Sequence, residues 1–313
     1  MAVLLGCSRG EAPASPPDDT TAITPNLSGF FAEGLTWDAN RGRLLVGGIV
    51  GQSIAAVSVP AGTVEAFASP PRGWSVFGVA HDPAAGLVWA AVSAVPQGRT
   101  LPEPVGPAGL VAFADDDGRV VSAAVLDDGE THLIGDLVVT PDAVFATDTL
   151  GGGVYQARPN DSVLTEVAPP GSFRSPQGLV TLAGVLILSD YPRGLMRLDP
   201  ASGSISELVS DADLRGIDGL ALRGHSLAAV QNGAHPPRVL RVELGEDGTA
   251  VESVEVFVVP DPAAGEPTLV TFVDDTLWVM QTDFWPRVFD EDGRPRPDVE
   301  IASPTVLRLP WDG

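Results

Sequence analysis

Residues 33–48 read EGLTWDANRGRLLVGG: an acid and a glycine, a short apolar strand, a turn, then a second apolar strand. The pattern returns as FGVAHDPAAGLVWAAVS (77–93), GDLVVTPDAVFATDT (135–149) and QGLVTLAGVLILSD (177–190). It returns again as DGLALRGHSLAAVQN (218–232) and PTLVTFVDDTLWVMQTD (267–283). Aligned on the apolar residue that opens each first strand, the markers are Leu35, Val79, Leu137, Leu179, Leu220 and Leu269. Their separations are 44, 58, 42, 41 and 49 residues, the size of one propeller blade.

Each unit has the same internal order. Strand A is short and apolar, and a turn rich in Asp, Pro, Gly or Asn follows it (DANRG, DPAAG, TPDA, VDD). Strand B is apolar at most positions (RLLVGG, LVWAAVS, VLILS, LWVMQ), as suits a strand covered on both faces. Strand C alternates and often carries arginine (GLMRLD, RVLRVEL), and strand D is more polar (GTVEAFAS, VESVEVFVV). No long window has helical periodicity. The expected fold is therefore all-β: a six-bladed β-propeller of four-stranded antiparallel blades over residues 30–313. TVLRLPW (305–311) matches a sixth strand C, and nothing after it supplies strand D. TTAITP, before the first blade, is expected to fill that place, since joining both chain ends in one blade removes exposed sheet edges. The wide spacing after the second blade comes from AVPQGRTLPEPVGPAG (94–109), a Pro/Gly-rich loop between strands B and C expected to form a rim or lid.

The 313 residues are 44% apolar, with 35 Gly and 29 Pro, which fits a large core cut by many turns. All 18 basic residues are arginine, against a net charge of -23. Without lysine there is no Schiff-base chemistry, and without a basic face there is no phosphate-tracking nucleic-acid binder. The overall acidity serves solubility, while any local acid cluster would attract cations. The single cysteine, Cys7, excludes an intrachain disulfide. LLGC (4–7) resembles a bacterial lipobox, and the polar, Pro-rich residues 8–29 read as a flexible tether. The six residues before Cys7 are too few for the charged and apolar regions of an export signal. The expectation is a monomer of the bacterial cell envelope, periplasmic or extracellular, touching the membrane only through a lipid on Cys7.

The EG-x-x-W-D opening of blade 1, with the GD and DG openings of blades 3 and 5, resembles the senescence marker protein/gluconolactonase (regucalcin-like) family over residues 30–311. The same architecture serves diisopropyl-fluorophosphatases and paraoxonases. The resemblance implies a divalent ion, often Ca²⁺, at the mouth of the central channel. It also implies the ligands: a Glu opening blade 1, Asn residues opening blades 3 and 4, and an Asp opening blade 5. By position the acids are Glu33 and Asp218. The blade-4 Asn position holds Gln177, and the blade-3 Asn-Asp pair reads Gly135-Asp136. The implied activity is metal-dependent hydrolysis of a lactone or ester, a small-molecule substrate.

The residues themselves carry part of this. In a propeller strand A lines the channel and its first residue faces the mouth, so Glu33, Gln177 and Asp218 point at a common centre with Asp136 close by. Unpaired carboxylates brought together raise one another's pKa, and a hard cation with oxygen ligands relieves the repulsion. The alternative is a water-filled channel whose acids are merely solvated. His81, His132, His225 and His235 show no ligand spacing, so a soft or His-rich metal site is not supported. Gly135 removes one ligand, Gln177 is one methylene longer than Asn, and Glu266 is an extra acid placed to compensate. The strand B ends Thr147-Asp148, Ser189-Asp190, Gln231-Asn232 and Thr282-Asp283 read as an outer pocket wall, or simply as turn chemistry. His132 and Asp136 are candidate general bases, with Asp218 as a catalytic acid. His235, Tyr191 and Trp285 are further pocket candidates. Against the hydrolase stands a non-catalytic, surface-tethered propeller that binds a small ligand or protein partner, because propellers host many unrelated functions.

Overall fold

The computed structural model describes residues 21–100 and 105–311. Cys7 and most of the 8–29 stretch expected to be a tether lie outside the described residues. Six four-stranded antiparallel sheets are arranged around a central axis, and five of them run A-B-C-D in chain order. The sixth is shared between the chain ends: Glu266–Val273, Thr276–Thr282 and Thr305–Pro310 are completed by Thr21–Ile23. The closing strand pairs Thr21 with Arg308 and Ile23 with Val306. Residues 21–23, within the 8–29 stretch expected to be a tether, are thus a strand of the propeller, as the reading of TTAITP expected. Leu27 is buried in the core, and Gly29 N–H donates to the Ile301 carbonyl at 2.9 Å. A chain lacking residues 1–24 is expected to melt roughly 5–10 °C below one lacking residues 1–18, because it bares the Thr305–Pro310 edge. Equal melting temperatures would refute this closure.

Strand B is apolar because it lies between A and C within its sheet and between neighbouring blades on both faces. Leu44, Leu45 and Val46 of blade 1, and Leu186, Ile187 and Leu188 of blade 4, are essentially inaccessible. Strand D has a mostly exposed face, as in Val251–Val258. The channel below the mouth is lined by Leu35, Val79, Leu137, Leu179, Leu220 and Val270, among others.

One irregularity of strand A shapes the mouth. In blade 3, Ile134 pairs with Asp148 and Leu137 with Ala146, so Gly135 and Asp136 together face Thr147. The same two-against-one bulge places Glu33-Gly34 opposite Gly47, Phe77-Gly78 opposite Ala91, and Gln177-Gly178 opposite Ser189. A bulge turns the strand and re-aims its side chains, and here it turns them to the axis. In blade 6 Pro267 pairs with Gln281 and Val270 with Val279, so the bulged pair is Thr268-Leu269. The residue equivalent to Leu35 is thus Val270, one place beyond the sequence alignment on Leu269. Thr268 takes the ring position, and Glu266 stands two residues outside it.

The segment between strands B and C of blade 6 packs against the start of blade 1 at the mouth. Phe31 meets Trp285 at 5.6 Å and Phe289 at 4.8 Å, both edge-on. The 94–109 loop also borders this rim: Thr100 N–H donates to Gln52 Oε1 at 3.0 Å, and Arg99 donates to the Gly29 carbonyl at 2.9 Å.

Candidate functional site

A cavity of about 350 Å³ opens at the mouth. Glu33, Asp136, Gln177, Asp218 and Glu266 line it, as do Asn232, Asp283 and Trp285. Phe31, Phe77, Leu133 and Tyr191 supply apolar wall. No Arg or His is among these lining residues.

The acids feel one another. Burial first, then the charges of Asp218, Glu266 and Asp136, hold Glu33 well above the usual carboxylate range. Burial raises Asp136 to about 7, against the opposing backbone N–H groups of Leu137 and Leu179. Burial also raises Asp218 to about 7; the hydrogen bond from Asn232 opposes this, and the charges of Asp136 and Glu266 add to it. Glu266 is raised by burial, with the Trp285 N–H and His235 pulling the other way. His235 thus lies near Glu266, outside the cavity wall.

Local structure fixes several of these groups. Asn232 Nδ2 donates to Asp218 Oδ2 at 2.7 Å, and the Tyr191 hydroxyl donates to Asn232 Oδ1 at 3.0 Å. Gln177 Nε2 donates to Ser175 Oγ at 3.0 Å, leaving its carbonyl oxygen as the free end. Asp136 sits where four blades have glycine, and it needs one of those glycines: a Cβ on Gly78 would come within 2.8 Å of Asp136 Oδ1. Glu33 Oε2 is buried with no hydrogen-bond partner, as are the hydroxyls of Thr268 and Thr282. Both threonines line the cavity.

The donor set is all oxygen, the chemistry a hard divalent cation takes. An unpartnered buried carboxylate oxygen is a costly arrangement that such an ion would relieve. The residues present therefore fit the cation that the resemblance implies. Gly135 is also explained: a Cβ there would meet Thr149 Oγ1 at 2.6 Å, so the Thr149 side chain fills the space a longer residue needs. Thr149 is held by its own bond to the Pro176 carbonyl at 2.9 Å. Nothing in the spacing of strand A pointed to it.

Three sequence candidates have other duties. His132 is buried, with Nδ1 2.7 Å from Asp148 Oδ2 and Nε2 3.0 Å from Asp128 Oδ1. Both ring nitrogens are taken, so it is not placed as a general base. Asp148 does not face the cavity; beyond His132 it accepts from the N–H groups of Leu133 and Gly151, at 3.0 and 2.9 Å. Asp190 likewise turns to the backbone, accepting from Ser175 N–H at 2.9 Å. Asp148 ties the turn after strand B to the entry of strand A in blade 3, and Asp190 holds the entry of strand A in blade 4. Asp283 does reach the cavity wall, but Arg287 Nη1 binds its Oδ2 at 2.7 Å.

A second cluster escaped sequence reasoning. At the far end of strand A, Asp38, His81 and Asp115 bring three ligand atoms within 4.8 Å of one another. The axial carboxylates form no such tight triplet among the described residues. Yet the Asp38 cluster is already neutralised. Arg43 Nε lies 2.9 Å from Asp38 and Arg41 Nη1 3.1 Å from Asp115, and Asn40 donates to Asp115 at 2.7 Å. Ala39 N–H donates to His81 Nδ1, which leaves Nε2 as the protonated nitrogen facing Asp115 at 3.2 Å. It is a clasp between blades 1 and 2.

Fold and cavity together define a six-bladed propeller with an acidic, oxygen-rich site at the mouth of its axis. No protein-family model and no curated protein matches the chain. Solved structures do. A gluconolactonase from Xanthomonas campestris is 18% identical over 96% of this chain and 98% of that one, with a TM-score of 0.60. Virginiamycin B lyase from Staphylococcus aureus is 13% identical over 93% and 99%, with a TM-score of 0.61. The PQQ-bound aldose sugar dehydrogenase from Streptomyces coelicolor is 15% identical over 94% and 100%, with a TM-score of 0.56. The structural neighbours thus include gluconolactonases, and at such identities they share the fold with this chain.

Proposed function

We propose that the axial cavity is the active site of a divalent-cation-dependent hydrolase acting on a lactone or ester. The observation that carries this is the meeting of Glu33, Asp136 and Asp218 around one cavity, with Glu33 Oε2 buried and unpartnered. Glu33, Asp218 and the Gln177 carbonyl oxygen would hold the ion, with Asp136 beneath them. When bound, the ion supplies Lewis-acid polarisation of the scissile carbonyl and stabilises the developing oxyanion. Asn232 fixes one oxygen of Asp218, and Tyr191 fixes Asn232. Asp136, raised to about 7 by burial in the ion-free protein and brought down again by a neighbouring cation, is the carboxylate placed to take a proton from attacking water. Phe31 and Trp285 wall the cavity where blades 6 and 1 meet. The same proposal places the protein in the bacterial envelope, a monomer anchored through Cys7. The test is hydrolysis of δ-gluconolactone and phenyl acetate with Ca²⁺ and after chelation. Activity that chelator removes and Ca²⁺ restores supports the reading. Chelator-insensitive melting and turnover would favour the binding propeller.

A further inference from the structure

The cavity holds more carboxyl groups than a divalent ion can use. Glu33, Asp136, Asp218 and Glu266 all line it. One such ion balances two carboxylates, and no basic side chain among the lining residues balances the others. Glu266 is set apart from the remainder. It precedes the bulge of blade 6, whereas Glu33 and Asp218 sit in ring positions on blades 1 and 5. The wall around it is partly aromatic, with Tyr191 and Trp285. Next to it in blade 6 are two hydroxyls, on Thr268 and Thr282, that are more than nine-tenths buried and have no partner. Glu266 pairs directly with Thr282 across strands A and B.

A carboxylate, two free hydroxyl oxygens and aromatic faces are the groups that bind an ammonium: the oxygens accept its N–H donors and the rings attract its charge. We propose that the blade 6 side of the cavity, built from Glu266, Thr268, Thr282, Tyr191 and Trp285, is a subsite for an organic cation. The ligand is a protonated amine, or a quaternary ammonium, carried on an apolar body. This rests on the hydrolase reading in that the substrate then joins a lactone or ester group at Glu33 and Asp218 to a cationic group at Glu266. The charged groups that face Glu266 are Glu33 and Asp218 from neighbouring blades, and His235 from the loop after strand B of blade 5.

The experiment is calorimetric titration of the full chain with phenethylamine and with its neutral counterpart 2-phenylethanol, each with and without saturating Ca²⁺. The amine is expected to bind at least about tenfold more tightly than the alcohol. In Glu266→Gln the amine should weaken about tenfold while the alcohol is unchanged, which also shows that the variant is folded. Equal affinity for amine and alcohol in the wild type, or an unaltered amine affinity in E266Q, would overturn the subsite. So would displacement of the amine by Ca²⁺, which would put the ammonium on the ion's own ligands. The hydrolase reading fails separately: no calcium binding, with the amine preference and its dependence on Glu266 intact, removes the ion and leaves the ammonium subsite standing.

Discussion

Asp218→Asn is expected to remove calcium-dependent stabilisation and to cut hydrolysis at least about 100-fold, while making the calcium-free protein more stable at mildly alkaline pH. The opposite signs follow from where the carboxylate sits. Burial and its acidic neighbours raise Asp218 to about 7, and Asp136 is raised to about 7 as well. Unfolded aspartates titrate near 3.9. Between those values the folded, ion-free protein holds more protons than the unfolded chain. Its stability therefore falls as pH rises through that window, and the full penalty is present above about 7. Asparagine carries no charge, so D218N should match the wild type at about pH 4 and exceed it by roughly 1–3 kcal/mol at about pH 8 without calcium. With calcium at about 100 times its Kd the wild type gains about 2.7 kcal/mol by mass action, and D218N gains almost none. Melting curves at both pH values, with calcium and with chelator, decide the matter. If D218N and the wild type gain equally from calcium, the ion does not bind at Asp218.

The second large effect lies outside the cavity. Asp148→Ala is expected to cost about 3–5 kcal/mol, a fall on the order of 10 °C, because it strands the partners of a buried carboxylate. His132, Leu133 N–H and Gly151 N–H would all lose their acceptor. The deficit should be larger at mildly acidic pH, where His132 is charged and Asp148 ionised, than at alkaline pH. Burial opposes a charge on His132, but the bonds to Asp148 and Asp128 outweigh it and raise the imidazole above its ordinary value. A raised histidine contributes stability that is complete below the unfolded value near 6.5 and is lost as pH rises through the folded one. Calcium affinity of the folded D148A protein should stay within about twofold of wild type, since Asp148 does not face the cavity. A variant of normal stability that binds calcium tenfold more weakly would return Asp148 to the site.

The chain alone determined the blade count, the strand order within each blade and the borrowed closing strand. Each of these depends on local signals: apolar runs of strand length, turn residues between them, and a spacing near that of one blade. It also placed Glu33, Gln177 and Asp218 at the mouth, because strand A starts at the axis in every blade. The tertiary structure decided what those local signals cannot carry. Thr147-Asp148, Ser189-Asp190, Gln231-Asn232 and Thr282-Asp283 look alike as words, yet the first two bind turn backbone and the last two reach the cavity. The difference is which backbone N–H groups are brought to each carboxylate, and most of these come from the entry to strand A, some 15 residues before the word itself. The blade 6 register differs by one because Leu269 stands at the bulge position that holds glycine in blades 1, 2, 4 and 5, so two successive apolar residues, Leu269 and Val270, both read as the strand opener, and a one-residue slip exchanges inward for outward side chains. Gly135 looked like a missing ligand; only packing showed that Thr149 occupies its space. Whether an acid is a ligand, a clasp or a surplus charge depends on its neighbours across blades, and those neighbours are set by closure of the ring.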